Sequence, residues 1–246
     1  VWTQQGKLTA SDAAADDYFG YSVSISGDTA LIGGVYDDHA GGIDAGSAYV
    51  FVRSGGVWAQ QAKLTASDAT ADDEFGLSVS VSGDTAVIGA RRNDPAGRTD
   101  AGSAYVFVRS GGIWTQQAKV TASDPAASDY FGYSVSVSGD TAVIGAYGDD
   151  YASWNYVGSA YVFVRSGGIW TQQAKLMASD AAASDYFGYS VSVSGDTAVI
   201  GAFADHHAGG MGSAYVFDLG CDPDDDGDGV PDAGDNCPWV TNSNQA

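Results

Sequence analysis

Seven aspartates, Asp222, Asp224, Asp225, Asp226, Asp228, Asp232 and Asp235, fall within residues 221–246, a stretch with no lysine or arginine. Asp224, Asp226, Asp228, Asp232 and Asp235 stand at positions 1, 3, 5, 9 and 12 of a calcium loop, with Gly229 at 6 and the Val230 carbonyl at 7. A hard cation needs several converging oxygens, and glycine at the sixth position allows the turn that aims them inward. Without a cation the carboxylates repel one another and the segment is a solvated acidic tail; we expect bound calcium. Cys221 and Cys237 are the only cysteines and bracket this loop. With no histidine beside them, zinc is the weaker reading.

Aromatic side chains offer the second kind of chemistry. The four units diverge between their second and third strands, at Val35-Tyr-Asp-Asp-His39, Arg91-Arg-Asn-Asp94, Tyr147-Gly-Asp-Asp-Tyr151 with Trp154 and Tyr156, and Phe203-Ala-Asp-His-His207, and three of these segments carry aromatics. Tyr36, Tyr147, Tyr151, Trp154, Tyr156 and Phe203 are candidate binding residues, able to stack on a sugar or pack on another protein. Adjacent His206 and His207 point apart in an extended chain, so a transition-metal site built on them is not expected. Asp12, Asp68, Asp124 and Asp180, each followed five residues on by Asp17, Asp73, Asp129 and Asp185, are either cation ligands or turn caps, and the cap is the commoner role. Catalysis finds no support: there is no His-Glu-x-x-His, no Gly-x-Ser-x-Gly and no phosphate-binding glycine loop.

The frame behind these loops is a repeat. Trp2, Trp58, Trp114 and Trp170 are 56 residues apart, as are Phe19, Phe75, Phe131 and Phe187, each followed by glycine. Each unit reads as four strands. In Tyr133-Ser-Val-Ser-Val-Ser138 apolar and serine residues alternate with the period of a pleated strand. Thr141-Ala-Val-Ile-Gly-Ala146 is apolar nearly throughout, as in a strand covered on both faces. Ala160–Val164 follows the divergent loop, and Trp170–Leu176 is a polar outer strand whose Lys175, like Lys7, Lys63 and Lys119, we expect to guard a sheet edge. No segment has a helical period. Four-stranded sheets at a fixed period predict a β-propeller. Trp2–Leu8 is an outer strand with no unit before it, and Tyr215–Phe217 has no outer strand after it, so the first is expected to close the last blade.

Phe131-Gly-Tyr-Ser-Val-Ser-Val-Ser-Gly-Asp-Thr-Ala-Val-Ile-Gly-Ala146 resembles the FG-GAP repeat of integrin α-chain-like propellers in its bacterial secreted form, and the likeness recurs four times over residues 1–219. Better-known members have seven blades. Integrin-type repeats often hold calcium in an Asp-rich loop between the first two strands; a short Ser-Gly-Asp-Thr turn stands there in this chain, so blade calcium is not carried over. Asp232-Ala-Gly-Asp-Asn-Cys-Pro238, within a second region at 220–246, resembles the thrombospondin type 3 repeat, which implies bound calcium, disulfides and little regular structure. A Cys221–Cys237 disulfide would close a loop of about 15 residues and contribute roughly 3 kcal/mol. Such a bond belongs to an oxidising compartment. The Asn242–Ala246 stretch suggests a further acidic repeat beyond.

The balance of 10 basic against 31 acidic residues, net −21, excludes a phosphate backbone as ligand. No apolar run approaches the roughly 20 residues of a membrane span, and Val1 has no basic-then-apolar leader behind it. We therefore expect an all-β, four-bladed propeller with a calcium-binding tail, extracellular or at a cell surface and not an enzyme. Its role is structural or adhesive, as protomer of a fibre or other homopolymer; the alternative is a monomeric module that binds carbohydrate or protein. Its partners are calcium ions and either copies of itself or an extracellular glycan or protein.

Overall fold

The computed structural model describes residues 1–152, 154–206 and 210–219. Fifteen strands form four antiparallel sheets, set one after another as propeller blades. Blade one holds β1 (Phe19–Ser26), β2 (Thr29–Gly34), β3 (Ser47–Ser54) and β4 (Val57–Leu64); blade two holds β5 (Ser78–Ser82), β6 (Thr85–Ala90), β7 (Ser103–Ser110) and β8 (Ile113–Val120). Blade three holds β9 (Ser134–Ser138), β10 (Thr141–Ala146), β11 (Ser159–Ser166) and β12 (Ile169–Leu176). Blade four holds β13 (Phe187–Ser194), β14 (Thr197–Ala202) and β15 (Ser213–Asp218). Strands pair in sequence order within each sheet. Among the described residues the single helical turn is a 3₁₀ turn at Pro95–Gly97, in the loop between β6 and β7.

The second strand of each blade is central and apolar, as its composition demands: Ala86, Val87, Ile88 and Ala90 are all buried. The outer strand carries a bulge. Val50 faces Ala62 and Phe51 faces Gln60, so Gln61 is the extra residue; the same shift recurs beside Phe107 and Phe163. A bulge re-aims a side chain, and it turns Gln61 and Gln117 toward the next blade, where their Oε1 atoms accept from the indoles of Trp114 and Trp170 at 2.9 Å.

Cores form between blades rather than within one. Leu31, Val50 and Leu64 of blade one pack with Val79, Val81, Ile88 and Trp114 of blade two. Val87, Val106 and Val120 meet Val135, Val137 and Trp170 in the same way, and Val143 and Val162 meet Val193 and Ile200. A fourth cluster, of Ala10, Ile32, Tyr49 and Phe51 with Leu8, Phe19 and Trp58, has blade one alone to draw on.

Two expectations need correction. Val1–Ala10 forms no strand, and the fourth sheet has three strands among the described residues. The physical reason is the position of the blades. β1 packs on β5, β5 on β9 and β9 on β13, with no comparable packing of β13 on β1. Leu8 and Ala10 pack into the cluster of blade one, and Val1–Lys7 is exposed and part of no sheet. Nor are the outer-strand lysines bare edge guards: Lys63, Lys119 and Lys175 are three-quarters buried and ion-paired.

Candidate interaction surface

Every blade junction is built from the same few contacts. Ser22, Ser78 and Ser134, on the innermost strands, donate to the carbonyl oxygens of Gly76, Gly132 and Gly188 of the next blade at 2.8 Å. Gly33, Gly89 and Gly145 face those same carbonyls so closely that a Cβ would collide with them. Val81, Val137 and Val193 donate their backbone N–H groups to Ser24, Ser80 and Ser136 at 3.0 Å. At the first two junctions Arg109 and Arg165 also reach back to Thr29 and Thr85 at 3.0 Å. Phe75, Phe131 and Phe187 hang their N–H groups on Ala45, Ala101 and Val157 of the preceding loop.

At the two ends of the array the same residues stand uncovered. On blade one, Val23 and Ile25 are 69% and 65% exposed, where their counterparts Val79 and Val81 are 8% and 6%. On blade four, Val199 and Val216 are 39% and 70% exposed, where Val87 and Val106 are 0% and 1%. Gly20 has no atom within reach of a Cβ, unlike Gly76, and Gly201 faces Ser190 of its own blade with no carbonyl from a neighbour. Thr197 is exposed where Thr29 and Thr85 are buried. An open hollow of about 400 Å³ lies against Tyr189, Ser190, Gly201 and Phe203. Each end is thus half of a junction that the chain completes three times.

A polar network ties each linker to its own blade. Lys63 lies 2.7 Å from both Asp12 and Asp37, and Lys175 lies 2.6 Å from both Asp124 and Asp149. Lys119 pairs with Asp68, and Asn93 takes the place of the second carboxylate, with Ser103 and Asp73 as partners. Tyr49 donates to Asp37, Tyr105 to Asp68, Tyr161 to Asp124 and Tyr215 to Asp180, at 2.8–2.9 Å. The Lys63 ammonium bonded to Asp12 holds that carboxyl below its ordinary value. Burial opposes the same effect at Asp124, but Lys175 and the Tyr161 hydroxyl prevail and hold it low. Burial first and the neighbouring carboxylates second push the Tyr49 and Tyr161 hydroxyls far up. Asp17, Asp73, Asp129 and Asp185 are buried and accept N–H groups three residues back, as turn caps do. Burial pushes Asp129 up to about 6. Among the described residues no group of three or more histidine, cysteine or acidic side chains is set to hold a metal.

Aromatic side chains chosen from the sequence fall in different places. Tyr147 stacks on Tyr130 at 5.3 Å and meets Tyr133 edge-on at 4.5 Å; Tyr156 lies 5.7 Å from Tyr186; Phe203 stacks on Tyr189 at 5.0 Å. Tyr36 is apart from them, against Tyr18. Tyr151 and Trp154 bridge through their backbones at the tip of the loop and join no ring cluster. Tyr130, Tyr133, Tyr186 and Tyr189 complete the row, with the Arg91 guanidinium over Tyr133 and bonded to buried Glu74 at 2.6 Å. These tyrosines flank the repeated Phe-Gly pairs, so the signal was present, but it is divided between adjacent blades. His206 leans on Asp185, and His39 Nδ1 accepts from Gly41 while Nε2 donates to Gly46. Asp224, Asp226, Asp228, Val230, Asp232, Asp235, Cys221, Cys237 and His207 lie outside the described residues.

No helix among the described residues is long and apolar enough to cross a membrane. Among curated proteins none is significantly similar to the chain. Of solved structures, the crystal structure of Saccharomyces cerevisiae Sqt1 is similar at a TM-score of 0.44 and 11% identity, over 76% of this chain and 42% of that one. The chain spans less than half the length of that protein. The FG-GAP repeat matches over residues 2–51, 58–107, 114–163 and 170–217, each match opening on a tryptophan, three of them in outer strands, and ending in the third strand of a blade. Four such matches cover most of the sequence, and the chain belongs to the FG-GAP repeat family.

Proposed function

We propose that this protein is a non-enzymatic structural protomer that assembles with copies of itself outside the cell. One observation carries the reading: Val23 and Ile25 at one end, and Val199 and Val216 at the other, are exposed counterparts of residues that bury each other at every internal junction. Full burial of such side chains stabilises by roughly 1.5–3 kcal/mol each. The two faces differ, so the contact is head-to-tail and adds copies one after another or closes when the rotation allows. Exposed apolar surface of this kind marks an interaction site. Calcium in the Asp224–Asp235 loop, a Cys221–Cys237 bond and a thrombospondin type 3-like tail fit an extracellular setting and belong to the same proposal.

Size-exclusion chromatography with light scattering, over a hundredfold range of concentration in calcium, tests it. Assemblies whose mass grows with concentration are expected. A chain that stays monomeric throughout is not a self-assembling protomer. The rival reading, a monomeric module that binds carbohydrate or protein, is favoured by the partly exposed Tyr189, Phe203 and Tyr156. Quenching of tyrosine fluorescence by a soluble glycan, in a protein that remains monomeric, would establish it.

A further inference from the structure

We infer that Val1–Leu8 is a donated strand: it adds to β15 of another copy as the missing fourth strand of that copy's last blade, and Trp2 fills a socket there. This rests on the protomer reading and specifies its contact.

The arm has the sequence of an outer strand. Val1-Trp-Thr-Gln-Gln-Gly-Lys-Leu8 differs from Ile169-Trp-Thr-Gln-Gln-Ala-Lys-Leu176 only at its first and sixth residues. Yet it pairs with no strand of its own chain, and Trp2 is fully exposed. β15 meanwhile has β14 on one edge and nothing on the other among the described residues. An unpaired edge whose backbone groups alternate with apolar side chains is a template for one more strand.

The socket is already formed. Trp114 shares one apolar cluster with Val50, Val52, Ala62 and Leu64, and Trp170 shares the next with Val106, Ala118 and Val120. The third copy of that surface, Val162, Val164, Ala174 and Leu176 with Phe217, borders a cavity of about 140 Å³. Gln173, on its rim, is the bulged residue equivalent to Gln61 and Gln117, whose Oε1 atoms take the indole N–H of the next tryptophan. No tryptophan among the described residues occupies it: Trp58 packs within blade one, Trp114 and Trp170 fill the two earlier sockets, and Trp2 is fully exposed.

Polar partners complete the match. Gln60, Gln116 and Gln172 bond to Ser11, Ser67 and Ser123, and Lys63, Lys119 and Lys175 pair with Asp12, Asp68 and Asp124. Continuing both series leads to Ser179 with Gln4 and Asp180 with Lys7. Ser179 and Asp180 line an open hollow beside β12, and Asp180 keeps the Tyr215 hydroxyl but no lysine of its own chain. Following the β11–β12 register, Lys7 stands opposite Tyr215 and Gln4 opposite Phe217. The docked arm then carries blade one onto blade four, placing Val23 and Ile25 over Val199 and Val216, and Tyr18 and Tyr21 beside Phe203.

Photo-crosslinking from Trp2→p-benzoylphenylalanine, in the full chain with calcium, tests this together with the mass of a Trp2→Ala variant. Because Trp2 is fully exposed in the monomer, neither change threatens its fold. Expected are cross-linked ladders whose peptides map to Val162–Leu176 or Phe217 of a second copy, and at least a tenfold weaker assembly of Trp2→Ala. If the wild type assembles but the cross-links map elsewhere, or Trp2→Ala assembles equally well, the arm is not the contact and the protomer reading stands. A monomeric wild type overturns both, whether or not position 2 cross-links to β15 of its own chain. A Lys7→Asp chain and an Asp180→Lys chain supply a second measure: each alone should lose affinity, and the double variant should recover it. No recovery would remove the Lys7–Asp180 pair from the interface.

Discussion

Ser134 Oγ donates to the Gly188 carbonyl oxygen at 2.8 Å across the boundary of blades three and four, and Gly145 faces that same carbonyl with no room for a side chain. The distance between blades is therefore set by a backbone group, which cannot turn aside as a side chain would. Gly145→Ala should force the blades apart and lower stability to urea by about 3 kcal/mol, in the range of overpacked cores. Gly201 holds the equivalent place on blade four, where the nearest atom is a serine hydroxyl able to rotate. Gly201→Ala should change monomer stability by less than about 1 kcal/mol. Equal losses would show that the carbonyl does not fix the spacing.

Lys175 makes a second discriminating site, since its ammonium lies between Asp124 and buried Asp149. Lys175→Met leaves the Asp149 carboxylate without its counter-ion. The expected loss is about 2–4 kcal/mol, as for other buried pairs broken on one side. At Lys119 the second carboxylate is replaced by Asn93, so Lys119→Met should cost less than half as much. Lys7→Met should leave the monomer unchanged, because Lys7 contacts no anion among the described residues. Chemical denaturation of the three variants side by side decides it; equal effects at Lys119 and Lys175 would mean that the second carboxylate contributes nothing.

Most of the blade was legible because its determinants are local. The alternation in Ser134–Ser138, the apolar Thr141–Ala146 and the glycine-rich turns each dictate a strand or a reversal without help from elsewhere. Closure was not legible, since a 56-residue period fixes what a blade is and not the angle between one blade and the next. That angle comes from contacts such as Gly145 with Gly188, between residues 43 apart in sequence. Lys175 was misread as an edge guard for a similar reason: the sequence shows a lysine on a polar strand, while its partners come from the linker and from the loop after β10. Unit two shows how such pairs vary together. Glu74 and Arg91 stand where units three and four have Tyr130 with Tyr147 and Tyr186 with Phe203, so an ion pair replaces a ring contact.

Calcium removal should act locally. The ligand set proposed for Asp224–Asp235 follows the last blade strand in the sequence. Hydrogen exchange with and without a chelator should show protection falling in residues 221–238 and unchanged in β1–β15. Exchange that rises in the blades as well would place a cation among the repeats, and unchanged exchange in both regions would leave the tail without one.

Acidification should stabilise the molecule modestly before it harms it, and Asp129 is the reason. Its carboxyl is buried in the turn before the third Phe-Gly pair, and burial raises it to about 6 from an ordinary value near 3.8. Between those values the folded chain keeps a proton that the unfolded chain has released. Stability through this group therefore increases as pH falls from 7 toward 4, by about 1 kcal/mol between pH 7 and 5. Asp12, Asp68 and Asp124 act oppositely, for their lowered values give stability that is complete above pH 4 and lost below it. Asp129→Asn stays neutral throughout and keeps an oxygen to accept from the Ala126 N–H. Its stability relative to wild type should thus be greatest at pH 7 and shrink by about 1 kcal/mol at pH 5. Thermal or urea unfolding of both proteins at these two values measures the difference. A gap that does not change with pH would mean that Asp129 does not titrate in this window, and that the turn admits water enough to keep its carboxylate charged.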